Sequence, residues 1–298
     1  MFIYRATVYC VCRSEEKGLK AVEAIKESTK NERVHLLKAD LSSIESVRQV
    51  CTEYRESGKP LHVLVNNAGG MFHQHMAKDS NVDNKGSHST EQNDGKVMRA
   101  RTPEGHELNF ATNTLGTYHL TQQLLIPLKK SSSDAFKSRV ITVSSGGMLA
   151  EKLEIEDLYS EKKRGDALLV YAAQKRHQVA LTEYWAEKHN DTVTFVSMHP
   201  GWVGTPGVEK SLPYLYYNHP NLLRTVEQGA DTAVWLSCLT NEKMKSITAG
   251  AFYHDRRESV KHLCFRDTRY KPEKVAELAT KLDSMLGQID TEIGANAI

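Results

Sequence analysis

Short apolar runs alternate along the chain with longer stretches whose apolar positions recur every three or four residues. The short runs predict β-strands at residues 8–12, 34–37, 61–65, 139–145, 193–198 and 250–253. The periodic stretches predict helices at 15–28, 43–55, 103–128, 171–188, 225–239 and 273–286. In the first of these, Leu19, Val22, Ala24 and Ile25 are expected to face inward. Ser42-Ser-Ile-Glu45 has the form of a capping box, with Ser42 as the cap of the second helix. Strand and helix in alternation argue an α/β fold, a doubly wound parallel sheet covered on both faces. One domain is expected over residues 1–288, with 289–298 as a disordered tail.

Two stretches interrupt the alternation. Residues 73–101 are rich in Asn, Asp, Ser, Lys, His and Gly and hold almost nothing apolar. They read as a flexible inserted loop, because they cannot bury enough surface to order themselves. His73, His75, Asp79 and His88 fall in this loop and read as solvated residues, not metal ligands. Residues 207–223, with three tyrosines and two prolines, read as a substrate lid or as a helix pair packed on the sheet edge.

In open parallel sheets, ligands gather at the carboxyl ends of the strands. Asp40, Asn66-Asn-Ala-Gly69, Ser144-Ser145 and Pro200-Gly201 all fall at predicted strand ends. Together they mark a binding cleft.

Composition refines this mainly by exclusion. The 298 residues are 40% hydrophobic and 26% charged, ordinary globular values. A formal net charge of +2 gives no strong field, and no basic stripe with interleaved aromatics points to nucleic acid. Five cysteines without a framework of spacings fit reduced thiols in the cytoplasm. No apolar run reaches the ~18–20 residues that span a bilayer. A cytoplasmic protein is expected, with peripheral contact to intracellular membranes left open.

Tyr171-Ala-Ala-Gln-Lys175 opens a predicted helix, and residues four apart share one helix face. A free tyrosine titrates near about 10, and a cation held beside it favours the phenolate. Tyr171 is therefore a candidate to exchange a proton with a carbonyl or alcohol near neutral pH.

Six motifs in order, Asp40-Leu41, Asn66-Asn-Ala-Gly69, Asn113-Thr-Leu-Gly116, Val143-Ser-Ser145, Tyr171-x-x-x-Lys175 and Pro200-Gly201, resemble those of the short-chain dehydrogenase/reductase family. The resemblance covers residues 8–256 and leans toward the retinol-dehydrogenase-like branch, which Thr225-Val-Glu-Gln-Gly-Ala230 also resembles. It implies a Rossmann-like fold and hydride transfer between NADP(H) and the carbonyl or alcohol of an apolar small molecule. By position, it implies Tyr171 as general acid/base and Lys175 as holder of the nicotinamide ribose. Ser145 would orient the carbonyl oxygen, and Asn113 would hold a water leading from Lys175 to solvent. Asp40, Leu41, Asn67, Ala68 and Gly69 would line the adenosine, and Pro200, Gly201 and Thr205 the nicotinamide side. The family's acidic residue for NAD(H) is absent from the end of the strand at 8–12, and Arg13 stands there instead. A guanidinium accepts the 2′-phosphate that an aspartate would repel, so NADP(H) is expected over NAD(H). The resemblance leaves a homodimer through the helices near Pro103 and Val170 open.

One family feature is missing from the sequence. The family opens with a strand, a Gly-rich turn that cradles the pyrophosphate, and a helix. Here the first glycine is Gly18, inside the first predicted helix. We read the chain as joined near Tyr9-Cys10 across a deleted strand–turn–helix unit, which would leave the strands at 8–12 and 61–65 short of a neighbour. A catalytically silent form that acts by binding is therefore the alternative expectation.

Overall fold

The computed structural model describes residues 6–72, 100–162 and 166–296. β1 (Val8–Cys12) and β2 (Val34–Lys38) pair in parallel, joined by α1 (Glu15–Thr29). α2 (Ile44–Glu56) leads into β3 (Val63–Asn66). A helical turn α3 (Leu108–Phe110), a π-helix (Ala111–Gly116) and α4 (Thr117–Ser131) precede β4 (Ser138–Val143). α5 (Ala167–His189) joins β4 to β5 (Val193–Met198). After β5 come α6 (Pro206–Ser211), α7 (Pro213–Asn218), a 3-10 turn (Pro220–Leu222), α8 (Val226–Cys238) and α9 (Asn241–Met244). β6 (Phe252–His254), β7 (Arg257–Ser259) and α10 (Pro272–Asn296) complete the chain.

β3, β4, β5 and β6 form a parallel sheet that ends in the antiparallel β7. Every residue of β4 and β5 is buried, because helices cover both faces. On one face Val140, Val193 and Phe195 meet α4, α5 and α10 through Leu128, Trp185 and Leu278. On the other, Ile141, Val143, Val196 and Met198 meet Leu236 of α8 and Met244 of α9. Arg139, fully buried, stabilises the end of α8 by donating to the Leu236 and Leu239 carbonyls at 2.8 and 3.0 Å. Tyr118 stacks on Trp185 and donates to Asp283 at 2.8 Å, fastening α10 across α4 and α5. A homodimer through α4 and α5 would have to share that face with α10.

The parallel sheet is in two parts. β1 and β2 form one, β3 to β7 the other, and among the described residues no strand pairs with the second edge of β1 or β3. Burial follows: Val11 is 38% and Val65 40% exposed, where β4 and β5 expose nothing of note. The same openness overturns the expected inward face of α1. Only Gly18 and Val22 are buried, while Leu19, Ala24 and Ile25 are exposed.

Other boundaries differ for local reasons. The helix expected from 103 begins at Leu108, because Gly105 sits at φ +84° in a turn and Glu107 caps the helix by accepting from the Phe110 N–H. Ser43, not Ser42, caps α2. Ser42 instead donates its N–H and hydroxyl to Asp40 Oδ1. α5 begins four residues before Tyr171, at Ala167, under an Asp166 cap. α10 runs past 286 to Asn296, through most of the expected tail. The 207–223 stretch is the short helix pair α6 and α7 with the 3-10 turn. The insertion, with its four candidate ligands, lies outside the described residues apart from Ala100 and Arg101.

Candidate active site

β4 and α5 build the centre of the site. Ser144 is buried and donates to the Lys175 carbonyl at 2.8 Å, tying the end of β4 to α5. Ser145 caps a 3-10 helix (Gly146–Ala150), its Oγ accepting from the Gly147 N–H at 3.2 Å. Tyr171, Gln174, Lys175 and Gln178 stand three or four residues apart, a polar stripe on a helix buried nearly all round. Lys175 is 2% exposed, and its Nζ lies 5.3 Å from the centre of the Tyr171 ring.

The electrostatics differ from the sequence expectation. Burial pushes the Tyr171 hydroxyl up to about 12 and the Lys175 ammonium down to about 7. A lowered tyrosine was expected from its cation, but the ammonium is turned inward, donating to the Val143 carbonyl at 2.9 Å and Gln178 Oε1 at 3.1 Å. Desolvation therefore outweighs the pairing.

Asn113 comes into the same space from the π-helix. Its side chain donates to the Gly70 carbonyl and to Gln174 Oε1, both at 2.8 Å, and accepts from the Gly70 N–H at 2.9 Å. Four residues earlier, Asn109 pairs with both backbone groups of Phe72 in the same way. These two asparagines hold the segment after β3 against the helix. Behind them the buried Glu107 accepts from Asn109 Nδ2 at 2.7 Å and from Gln174 at 3.5 Å. Sequence reasoning missed Glu107, Gln174 and Gln178. The period of the two glutamines, in register with Tyr171, was the available signal.

The remaining candidates ring this centre at the strand ends. Arg13 and Asp40 follow β1 and β2 and come within 3.8 Å as an ion pair, the arginine exposed and the aspartate half-buried. Leu41 presses its carbonyl against Gly116, where a Cβ would come within 2.0 Å, which explains the glycine of Asn113-Thr-Leu-Gly116. Asn67, Ala68 and Gly69 are exposed beyond β3, and a Cβ on Gly69 would lie 3.3 Å from Lys175 Nζ. Pro200 and Gly201 follow β5, with Gly201 at φ +80° beneath Arg224, which forms a two-point ion pair with Asp255. Thr205 caps α6 by accepting from the Val208 N–H. From that helix Ser211 donates to the Met71 carbonyl at 3.1 Å, so the segment spans from the β5 end to the β3 loop. His199 also belongs here. Its ring stacks on His254 at 4.7 Å, and its Nδ1 accepts from the Gly201 N–H at 3.3 Å.

No helix among the described residues is long and apolar enough to cross a membrane, and none of their His, Cys, Asp and Glu side chains gather in threes as metal ligands would. The sequence profile of the short chain dehydrogenases matches residues 2–213. Dehydrogenase/reductase SDR family member 12 of Homo sapiens is 37% identical over 279 residues, 93% of this chain and 78% of that one. Retinol dehydrogenase 12 of Homo sapiens is 31% identical over 255 residues, 84% and 70% of the two chains. In fold, the Pseudomonas aeruginosa RhlG/NADP active-site complex matches with a TM-score of 0.57 at 18% identity, over 83% of this chain and 84% of that one. The chain belongs to the short-chain dehydrogenase/reductase family of oxidoreductases, in the branch that holds member 12 and the retinol dehydrogenases.

Proposed function

We propose that the chain is an NADP(H)-dependent carbonyl reductase or alcohol dehydrogenase acting on an apolar small molecule, with Tyr171 as general acid/base. Tyr171 and the buried Lys175 on one face of α5, with Ser145 after β4 and Asn113 on the π-helix linked to Lys175 through Gln178, support this reading. The names of the relatives, retinol and polyprenol dehydrogenases among them, support an apolar alcohol or aldehyde.

The residues fit one end of the cofactor better than its middle. Gly69 packs closely on Asn113, whose Oδ1 a Cβ would meet at 2.8 Å, and so brings the β3 loop up to Lys175, the residue that would hold the nicotinamide ribose. Arg13, 63% exposed and paired with Asp40 at 3.8 Å, would turn from that carboxylate toward a 2′-phosphate, with Asp40, Leu41, Asn67 and Ala68 beside the adenosine. Pro200, Gly201 and Thr205 would border the nicotinamide. The start of α1 does not suit the pyrophosphate, because Glu15 and Glu16 in its first turn repel anions. We therefore expect weak binding.

When bound beside Lys175, NADPH would supply the hydride for the carbonyl carbon. Ser145 donates to the carbonyl oxygen and fixes its direction. Tyr171 gives that oxygen its proton and takes it back in the alcohol-to-carbonyl direction. Lys175, when charged, stabilises the phenolate left behind. Tyr171→Phe should abolish turnover and keep NADPH affinity; a variant that still turns over removes Tyr171 from the role.

The split sheet favours a second reading, a catalytically silent form that acts by binding. Thermal stabilisation separates the two. NADPH at about 100 times its Kd adds about 2.7 kcal/mol. No shift at millimolar NADPH rejects the first reading and leaves the second. A cytoplasmic site of action belongs to both readings, and flotation with vesicles tests for contact with membranes.

A further inference from the structure

One buried amide connects the two sides of the site and has no part in the roles above. Gln178 is 2% exposed and stands one turn beyond Lys175 on the same face of α5. Its Oε1 accepts from Lys175 Nζ at 3.1 Å, and its Nε2 donates to the Asn113 backbone carbonyl at 2.7 Å. These partners fix the direction of the amide, since an ammonium only donates and a carbonyl only accepts. Asn113 lies in the π-helix, and its carbonyl has a lone pair to offer a side chain. Gln178 thus links the Lys175 ammonium directly to the Asn113 carbonyl.

We propose that Gln178 is a positioning residue that braces the Lys175 ammonium against the π-helix and supports its charged state. The geometry stands by itself, and only its use in catalysis rests on the oxidoreductase reading. An amide neither gains nor loses a proton near neutral pH. The line Lys175–Gln178–Asn113 therefore orients the ammonium without carrying a proton itself. Little else competes for the lysine. Tyr171 is the titratable neighbour on its own helix. β4 presents the Val143 carbonyl, the π-helix presents Asn113, and the β3 loop presents Gly69, all neutral. The Glu107 carboxylate reaches this group of residues through Gln174 and Asn109. Burial alone holds the ammonium down at about 7.

NMR titration of lysine labelled at Cε, on the full chain without cofactor, tests the proposal. Gln178→Leu keeps the bulk and removes the acceptor, and should lower the Lys175 pKa by about one unit. Gln178→Glu places a carboxylate there and should raise it. Displacements of opposite sign support the brace; displacements of equal sign, or none, overturn it. In the unmodified chain, where folding is not in question, the Gln178 side-chain amide signals must follow the lysine titration. Amide signals that stay still while the lysine titrates overturn the proposal as well. A lysine that moves as described in a chain that binds no NADPH upholds Gln178 and sinks the oxidoreductase reading. NADPH binding with an unmoved lysine does the reverse.

Discussion

Lys175 and His199 are both bases held away from water, and each leaves a mark on stability. The folded Lys175 titrates at about 7, against an ordinary 10.5. Between those values the unfolded chain binds the extra proton, so this residue makes stability rise with pH from about 7 to 10.5. Lys175→Met should flatten that rise in urea midpoints taken across the window; an unchanged slope would contradict it. His199 is held down to about 4, first by burial, then by the charges of His254 and Arg224. Its unfolded form takes a proton at 6.5, so stability falls as the pH drops from 6.5 toward 4. His199→Gln should lessen this acid loss, read as melting temperatures at neutral pH and pH 5. At this scale helical period put Tyr171 and Lys175 on one face of α5, and Ser144-Ser145 fell at the end of β4; Asn113 was reached only through the family resemblance. The sequence did not show the charge state of Tyr171 and Lys175, which depends on where the ammonium finds acceptors.

The π-helix and the glycine at its end decide how closely the elements pack. A methyl on Gly116 would meet the Leu41 carbonyl at 2.0 Å and the Ala111 carbonyl at 3.0 Å, both backbone and unable to swing aside. Gly116→Ala should therefore cost about 1–3 kcal/mol in urea unfolding. Gly147→Ala, with its nearest atoms at 3.6 Å, should cost little; equal losses in the two variants would refute the packing argument. Strands with strong apolar runs were legible to the residue, as at Val8–Cys12 and Val193–Met198. The wide turns of Ala111–Gly116 were not, because nothing in Ala-Thr-Asn-Thr-Leu-Gly distinguishes them from α-turns. β7 was missed too, since Asp255 and Arg256 make its turn at φ 49° and 60° without a glycine.

At the scale of the molecule, β1 and β3 have the composition of interior strands, and among the described residues each has one edge without a partner. Val11 and Val65 are exposed beside them, the arrangement that invites pairing between copies. Val65→Lys should reduce self-association in light scattering with little change in melting temperature; unchanged scattering would show that these edges are not the contact. That no glycine precedes Gly18 was legible. That the strands fall into two sheets was not, because pairing depends on partners far apart in the chain.

That division also sets how the molecule opens. With no ladder between them, the pair β1–β2 and the sheet β3–β7 need not come apart in one step. Amides of Tyr9 to Cys12 should exchange with solvent sooner than those of Val140 to Val143, as a separate cooperative unit. Arg13 and Asp40 ride on the looser unit, and Tyr171 and Lys175 on the firmer one. A dinucleotide that spans both would therefore slow exchange most at its adenosine end, far from the carbonyl it serves.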